Sequence, residues 1–169
     1  MPRLTTSLWF DGRAEEAADF YCSVFPSSEV LEVMRGPEVG SGERGPAITV
    51  AFTLDGHPFV GINGGPQFTF DEAISIVIDC ADQAEVDHYW DALSDGGEEG
   101  RCGWLKDRFG LSWQVVPSEL PSLLGDPDPG RARRAMEAML TMGRIDVAAI
   151  RAATDAGEDD VADAGAGAT

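Results

Sequence analysis

Lysine is nearly missing from this chain. Among 169 residues there is one, Lys106, and twelve basic side chains face thirty acidic ones for a formal charge of −18. Such a balance repels nucleic-acid phosphates and anionic lipid alike, so neither nucleic acid nor a membrane is expected as a partner. Cysteine is scarce and odd in number. Cys22, Cys80 and Cys102 form no C-x-x-C pair, which argues against zinc or redox chemistry and for buried free thiols. There are only two histidines, His57 and His88. No stretch approaches the roughly 20 apolar residues of a membrane span, and Met1-Pro2-Arg3-Leu4-Thr5-Thr6 lacks the apolar run of a signal peptide. A cytoplasmic location is expected.

What is present is enough for one ordinary core, since 43% of the residues are hydrophobic. A single domain over 1–153 is expected, followed by an acidic tail, 154–169. The Ala/Gly/Asp composition of that tail cannot bury enough apolar surface to offset the entropy of ordering. Within the domain the chain repeats itself. One gapless offset sets Phe10 on Ile78, Asp11 on Asp79, Asp19 on Asp87, Tyr21 on Tyr89 and Phe25 on Leu93. Each copy reads as an apolar strand closed by an aspartate, then an amphipathic helix. Ala14, Ala17, Ala18, Tyr21 and Phe25 recur at helical spacing in the first, and Val86, Tyr89, Trp90 and Leu93 in the second. Asp11 and Asp79 are expected to cap the helix entries.

Strand-like runs follow each helix. After the first come Glu29 to Met34, Ala47 to Leu54 and Pro58 to Ile62, with Asp55-Gly56 as a hairpin turn. After the second come Glu98 to Leu105 and Leu111 to Val116, joined by Asp107-Arg108-Phe109-Gly110. The expected class is therefore α+β, with two βαβββ modules, about 4–66 and 70–117, forming a curved open barrel with a cleft. Outside the repeat, Pro129 after Asp128 with Ala132, Met136, Met139 and Leu140 reads as a helix, and Ile145, Val147 and Ile150 as another, so C-terminal helices are expected over about 129–153. Their methionines read as packing residues against the barrel or a dimer partner.

These residues carry a resemblance. It rests on Leu8-Trp9-Phe10-Asp11-Gly12 with Phe20-Tyr21, Ile62-Asn63-Gly64-Gly65-Pro66 with Phe70, and Trp90, Leu93 and Gly96-Gly97. Its most specific blocks are Cys102-Gly103-Trp104-Leu105-Lys106-Asp107-Arg108-Phe109-Gly110 and Ser112-Trp113-Gln114-Val115-Val116-Pro117. Over about 4–153 the chain resembles the vicinal oxygen chelate (glyoxalase/bleomycin-resistance/dioxygenase) superfamily, and within it the PhnB-like group labelled 3-demethylubiquinone-9 3-methyltransferase. The resemblance implies paired βαβββ modules, a cleft and a homodimer.

In members with glyoxalase-like chemistry it also implies a divalent metal held by His, Glu or Gln side chains from equivalent strands of each half. Here those positions fall on Thr6, on Gly61 or Asn63, on Ala73 or Ser75, and on Gln114. Catalytic sites need about three suitably basic protein ligands, so no metal is expected, and no other cofactor. His57 follows a hairpin turn and His88 lies mid-helix, away from those positions. Gly40-Ser41-Gly42-Glu43-Arg44-Gly45 is a literal G-x-G-x-x-G, but Pro46 and the β-branched run Ile48-Thr49-Val50 follow it where a nucleotide-binding loop needs a helix. Methyl transfer is the least supported function.

Alternate residues of a strand share a face, so parity selects the cleft candidates. They are Thr6, Asn63, Ser75, Ser112, Gln114 and, on the companion strand, Cys102, Trp104 and Lys106. The mixture suits a small ligand with one anionic or carbonyl end. Trp104 and Trp113 have opposite parity, so one can stack on a ligand while the other packs under the helix. Lys106 can fix an anion or pair with Asp107 across the turn. Asn63-Gly64-Gly65 can offer an amide or a turn. Three functions follow: metal-independent small-molecule binding first, then an enzyme of the same fold using unusual metal ligands or acid–base work by Lys106, Asp107 or Cys102, and a dimer module whose surface is its function.

Overall fold

The computed structural model describes residues 4–37 and 45–156. The acidic tail beyond 156 and nearly all of the G-x-G-x-x-G run lie outside the described residues. The chain divides between Asp71 and Glu72 into two compact units. Among the described residues no helix is long and apolar enough to cross a membrane.

In the first unit β1 (Thr6–Phe10) leads into α1 (Ala14–Val24), then β2 (Glu29–Arg35), β3 (Ala47–Leu54) and β4 (His57–Asn63). The sheet order is β1-β4-β3-β2, with β1 parallel to β4 and the other pairs antiparallel. Three alanines, Ala14, Ala17 and Ala18, are fully buried with Tyr21 on the inner face of α1, and their small size lets the helix lie close on the sheet. Gly61 completes that fit, because a Cβ there would stand 3.0 Å from the Ala14 methyl. Tyr21, Phe52 and Phe59 stack in series under the helix, with centroids 6.3 Å and then 5.4 Å apart. The β3–β4 hairpin turns on Asp55 and Gly56, both left-handed with φ of 45° and 76°, as the Asp-Gly signal implies.

The second unit repeats the order. β5 (Ile76–Cys80), α2 (Gln83–Ser94), β6 (Glu98–Glu99), β7 (Trp104–Lys106) and β8 (Ser112–Pro117) form a sheet ordered β5-β8-β7-β6, again with one parallel pair. The run from Glu98 to Leu105, read as one segment from sequence, is two strands and a tight turn. Gly100 N–H donates to the Trp104 carbonyl at 2.8 Å, and Cys102 and Gly103 sit at φ of 56° and 83°.

Two expectations about the repeat need correction. The buried positions of α1 (Ala17, Tyr21, Val24) correspond to those of α2 (Val86, Trp90, Leu93) one residue further along than the sequence offset places them. Tyr21 is thus matched by Trp90, not Tyr89, and Phe25 lies beyond the end of its helix. Nor do Asp11 and Asp79 cap the helices. α2 is capped by Asp82, which accepts from Glu85 N–H at 3.0 Å while the Glu85 carboxylate accepts from Ala81 N–H at 2.8 Å. α1 has no cap of its own, and its first N–H, on Ala14, donates 2.9 Å to the side-chain oxygen of Asn63 at the end of β4.

A helical layer closes the second unit: α3 (Leu120–Leu124), α4 (Pro129–Leu140) and α5 (Val147–Asp155). Asp128 and Asp146 cap the last two. Leu120, Ala135, Ile145 and Ile150 form their shared core, with Ala138, Met139 and Met142 against it. Met136 and Leu140 are exposed on α4. Thr154 is buried and hydrogen-bonded to the Ile150 carbonyl at 2.7 Å, so the helix runs into the stretch assigned to the tail. Arg144 ties the layer to α2 through Asp87 at 3.1 Å and Asp91 at 2.5 Å, and Gln83 of α2 both donates to Ile145 O and accepts from Val147 N–H.

Candidate functional site

Cross-strand register, combined with parity, decides which side chains share a face of the second sheet. Trp104 stands opposite Gln114, Lys106 opposite Ser112, and Val77 beside Gln114. Their neighbours of the other parity, Leu105, Trp113, Val115 and Ile78, are buried, on the side that α2 covers. Trp104, Lys106, Ser112, Gln114 and Val77 therefore lie together on the face opposite α2. Ser75 joins them from the residue before β5, its hydroxyl accepting from Gln114 Nε2 at 2.8 Å. Trp104 is half-buried and its indole N–H bonds to no described residue, while Val77 is 57% exposed.

Lys106 pairs with Glu72 at 2.6 Å. The Lys106 hydrogen bond holds the Glu72 carboxyl below its ordinary value. Asp107 turns inward and is buried. One carboxylate oxygen accepts from Phe109 N–H at 2.8 Å and Leu111 N–H at 3.1 Å, and the other from the Trp113 indole N–H at 2.8 Å. It organises the turn between β7 and β8 and is closed to acid–base work on a ligand. Sequence parity thus separates the tryptophans correctly: Trp113 packs under the helix and Trp104 faces the other way.

Three other candidates lie elsewhere. Cys102 leaves the strand at its left-handed turn. Its thiol lies 3.7 Å from the Met139 carbonyl, and its N–H and that of Gly103 donate to Met142 O and Gly143 O at 2.9 and 2.8 Å. The C-terminal layer thereby pins the turn that delivers Trp104. Asn63 is spent on architecture, capping α1 with its oxygen and donating to Ala47 O at 3.0 Å with its nitrogen. Beside it, a Cβ on Gly64 would fall 2.0 Å from the Trp9 ring, whose N–H donates to Gly65 O at 2.9 Å. The Ile62-Asn63-Gly64-Gly65 motif is therefore a packing device. Thr6 has the parity of the helix-side residues Leu8 and Phe10, and Ser7 lies on the opposite face of β1. Sequence reasoning passed over Ser7, although the repeat offset maps it onto Ser75.

The first sheet lacks the second sheet's polar group. The corresponding face of its β3–β4 pair carries Thr49, Ala51, Val60 and Ile62, with neither an amide nor an ammonium. The donor set does not fit a divalent metal of the superfamily's kind. Ser75 and Gln114 offer a hydroxyl and an amide already bonded to each other, Asn63 is committed to α1, and Gly61 is packed against Ala14. Among the described residues no group of three or more His, Cys, Asp or Glu side chains could hold a metal ion. His57 is exposed at the start of β4, and His88 is exposed on α2 with its ring edge-on to Tyr89 at 5.0 Å. The thiols are free, and burial pushes that of Cys80 up to about 12.

Known proteins show similarity along this stretch. The family model described as 3-demethylubiquinone-9 3-methyltransferase matches residues 2–116. The structure of a PhnB protein from Bacillus cereus is 35% identical, covering 69% of this chain and 99% of that one, with a TM-score of 0.62. A crystal structure of a Pseudomonas aeruginosa protein, 18% identical, covers 69% of this chain and 98% of that one with a TM-score of 0.57. No curated protein matches significantly.

Proposed function

The chain belongs to the family described as 3-demethylubiquinone-9 3-methyltransferase, within the vicinal oxygen chelate superfamily, and from that premise we propose that it binds a small molecule without a metal. The site is the face of the second sheet opposite α2. The observation that carries this reading is the register that sets Trp104, Gln114, Lys106 and Ser112 side by side, with Ser75 and Val77 alongside. An indole to stack on, an amide with the Ser75 hydroxyl to orient, and one ammonium make a recognition surface, with Ser112 fully buried beneath them. Catalysis would need a nucleophile beside a base or a carboxylate open to the ligand. Asp107 is closed in its turn, and Cys102 faces the helical layer.

Methyl transfer has no support in the chemistry here. The glycine-rich stretch joins β2 to β3, an antiparallel pair, and leads into a strand where a cofactor loop would open a helix. The free thiols suit a reducing cytoplasm, and we carry the homodimer as part of the same reading. Native mass spectrometry of the purified chain tests the binding, the metal and the dimer together. The expected spectrum is a metal-free dimer retaining an organic adduct that Trp104→Ala loses; a stoichiometric divalent ion in each subunit refutes the metal-free reading.

A further inference from the structure

We propose that the site takes a flat, apolar molecule bearing one oxyanion, and that Glu72 is a built-in competitor that the oxyanion displaces from Lys106. The inference rests on the binding reading above. In a chain of formal charge −18, the only lysine stands on this face. It is drawn into the surface, its side chain 29% exposed, with Ser112 opposite in register on one side and Glu98 of β6 on the other. Glu72 reaches it from the turn before β5 and is itself 64% exposed. An ion pair with so exposed a partner is close to neutral in energy, so Glu72 can leave Lys106 at little cost. Glu98 stays, in its strand, and limits the site to one added negative charge.

The apolar half of the ligand is set by Trp104 and Val77, which flank Gln114 on either side. Trp104 and Lys106 are two residues apart on one strand, so their Cα atoms are separated by roughly 7 Å. A fused two-ring system with an acidic substituent spans that distance. The Gln114–Ser75 pair between them offers hydrogen bonds to a polar atom in the middle of such a molecule.

Two fluorescent probes differ by the group in question: 1-anilinonaphthalene-8-sulfonate carries the oxyanion, and N-phenyl-1-naphthylamine is its neutral counterpart. Titrations of both are made on wild type, Glu72→Gln, Lys106→Gln, Trp104→Ala and the control Glu137→Gln, which removes a charge on α4. Thermal melts confirm that each variant is folded. Glu72→Gln should bind the sulfonate roughly two- to fivefold tighter, the span expected when a weak exposed ion pair no longer competes. Lys106→Gln should bind it at least about tenfold more weakly, the loss of one charge-assisted hydrogen bond. Neither should alter the neutral probe, Glu137→Gln should alter neither, and Trp104→Ala should weaken both. If Trp104→Ala weakens both probes while Glu72→Gln leaves the sulfonate unchanged or weaker, the competitor proposal is overturned and the binding reading stands. If Trp104→Ala changes neither, both fall.

Discussion

Replacing Asp107 by asparagine tests the reading that this residue holds the β7–β8 turn. Its carboxylate is 3% exposed and accepts three N–H groups, two backbone and one indole. An asparagine of the same shape keeps its oxygen toward Phe109 and Leu111. Its NH2 then faces the Trp113 indole N–H, donor against donor. A buried donor left without an acceptor costs about 1–3 kcal/mol. The two remaining bonds lose their charge assistance, about 0.5–1 kcal/mol each. Removing a buried charge returns part of this as recovered solvation. The expected net loss is about 3 kcal/mol, a fall in melting temperature of roughly 10 °C for a chain of this size. Urea denaturation of wild type, Asp107→Asn, Trp113→Phe and the double variant isolates the indole bond, with an expected coupling of about 1–2 kcal/mol. A melt within error of wild type for Asp107→Asn, or strict additivity in the cycle, would refute the turn-holding role.

Asn63→Ala orphans the first N–H of α1 and the Ala47 carbonyl, and should cost about 1–2 kcal/mol in a denaturant titration while leaving probe binding to the second unit intact. Gly64→Ala puts a methyl inside the Trp9 ring and should cost about 1–3 kcal/mol, with a shift in tryptophan emission as that ring moves. The Asp87 carboxyl lies below its ordinary 3.8, held there first by the Gln83 amide and then by Arg144. Its folded value being the lower one, its stabilisation is complete above pH 3.8 and disappears as pH falls through the folded value. Arg144→Ala should therefore reduce the acid sensitivity of the melting temperature; an unchanged pH profile would show that Arg144 does not stabilise the Asp87 carboxylate. At pH 8 the Cys80 thiol, pushed up to about 12, should react with a thiol reagent only after denaturation.

Local chemistry was legible in the sequence wherever two adjacent positions settle the matter. Asp55-Gly56 specified its hairpin, Asp128-Pro129 opened α4, and opposite parity separated Trp104 from Trp113. The duplicated strand–helix unit was also visible, because periodicity survives when identity does not. Its helical register was not, since the buried face of α2 falls one residue beyond the place the sequence offset gives it, about 100° around the helix, which exchanges Tyr89 for Trp90 in the core.

The sequence by itself determined the α+β class and the repeat, because propensity, turn chemistry and parity act over a few residues. Tertiary structure alone decided the partners. Asn63 caps a helix that lies 49 positions earlier, Lys106 pairs with Glu72, Asp107 turns inward to Trp113, and the Met142–Gly143 turn fixes the bend before Trp104. Each is a contact between side chains or backbone groups brought together by packing across separate elements. The linear order of residues does not encode which of several suitable donors and acceptors will meet.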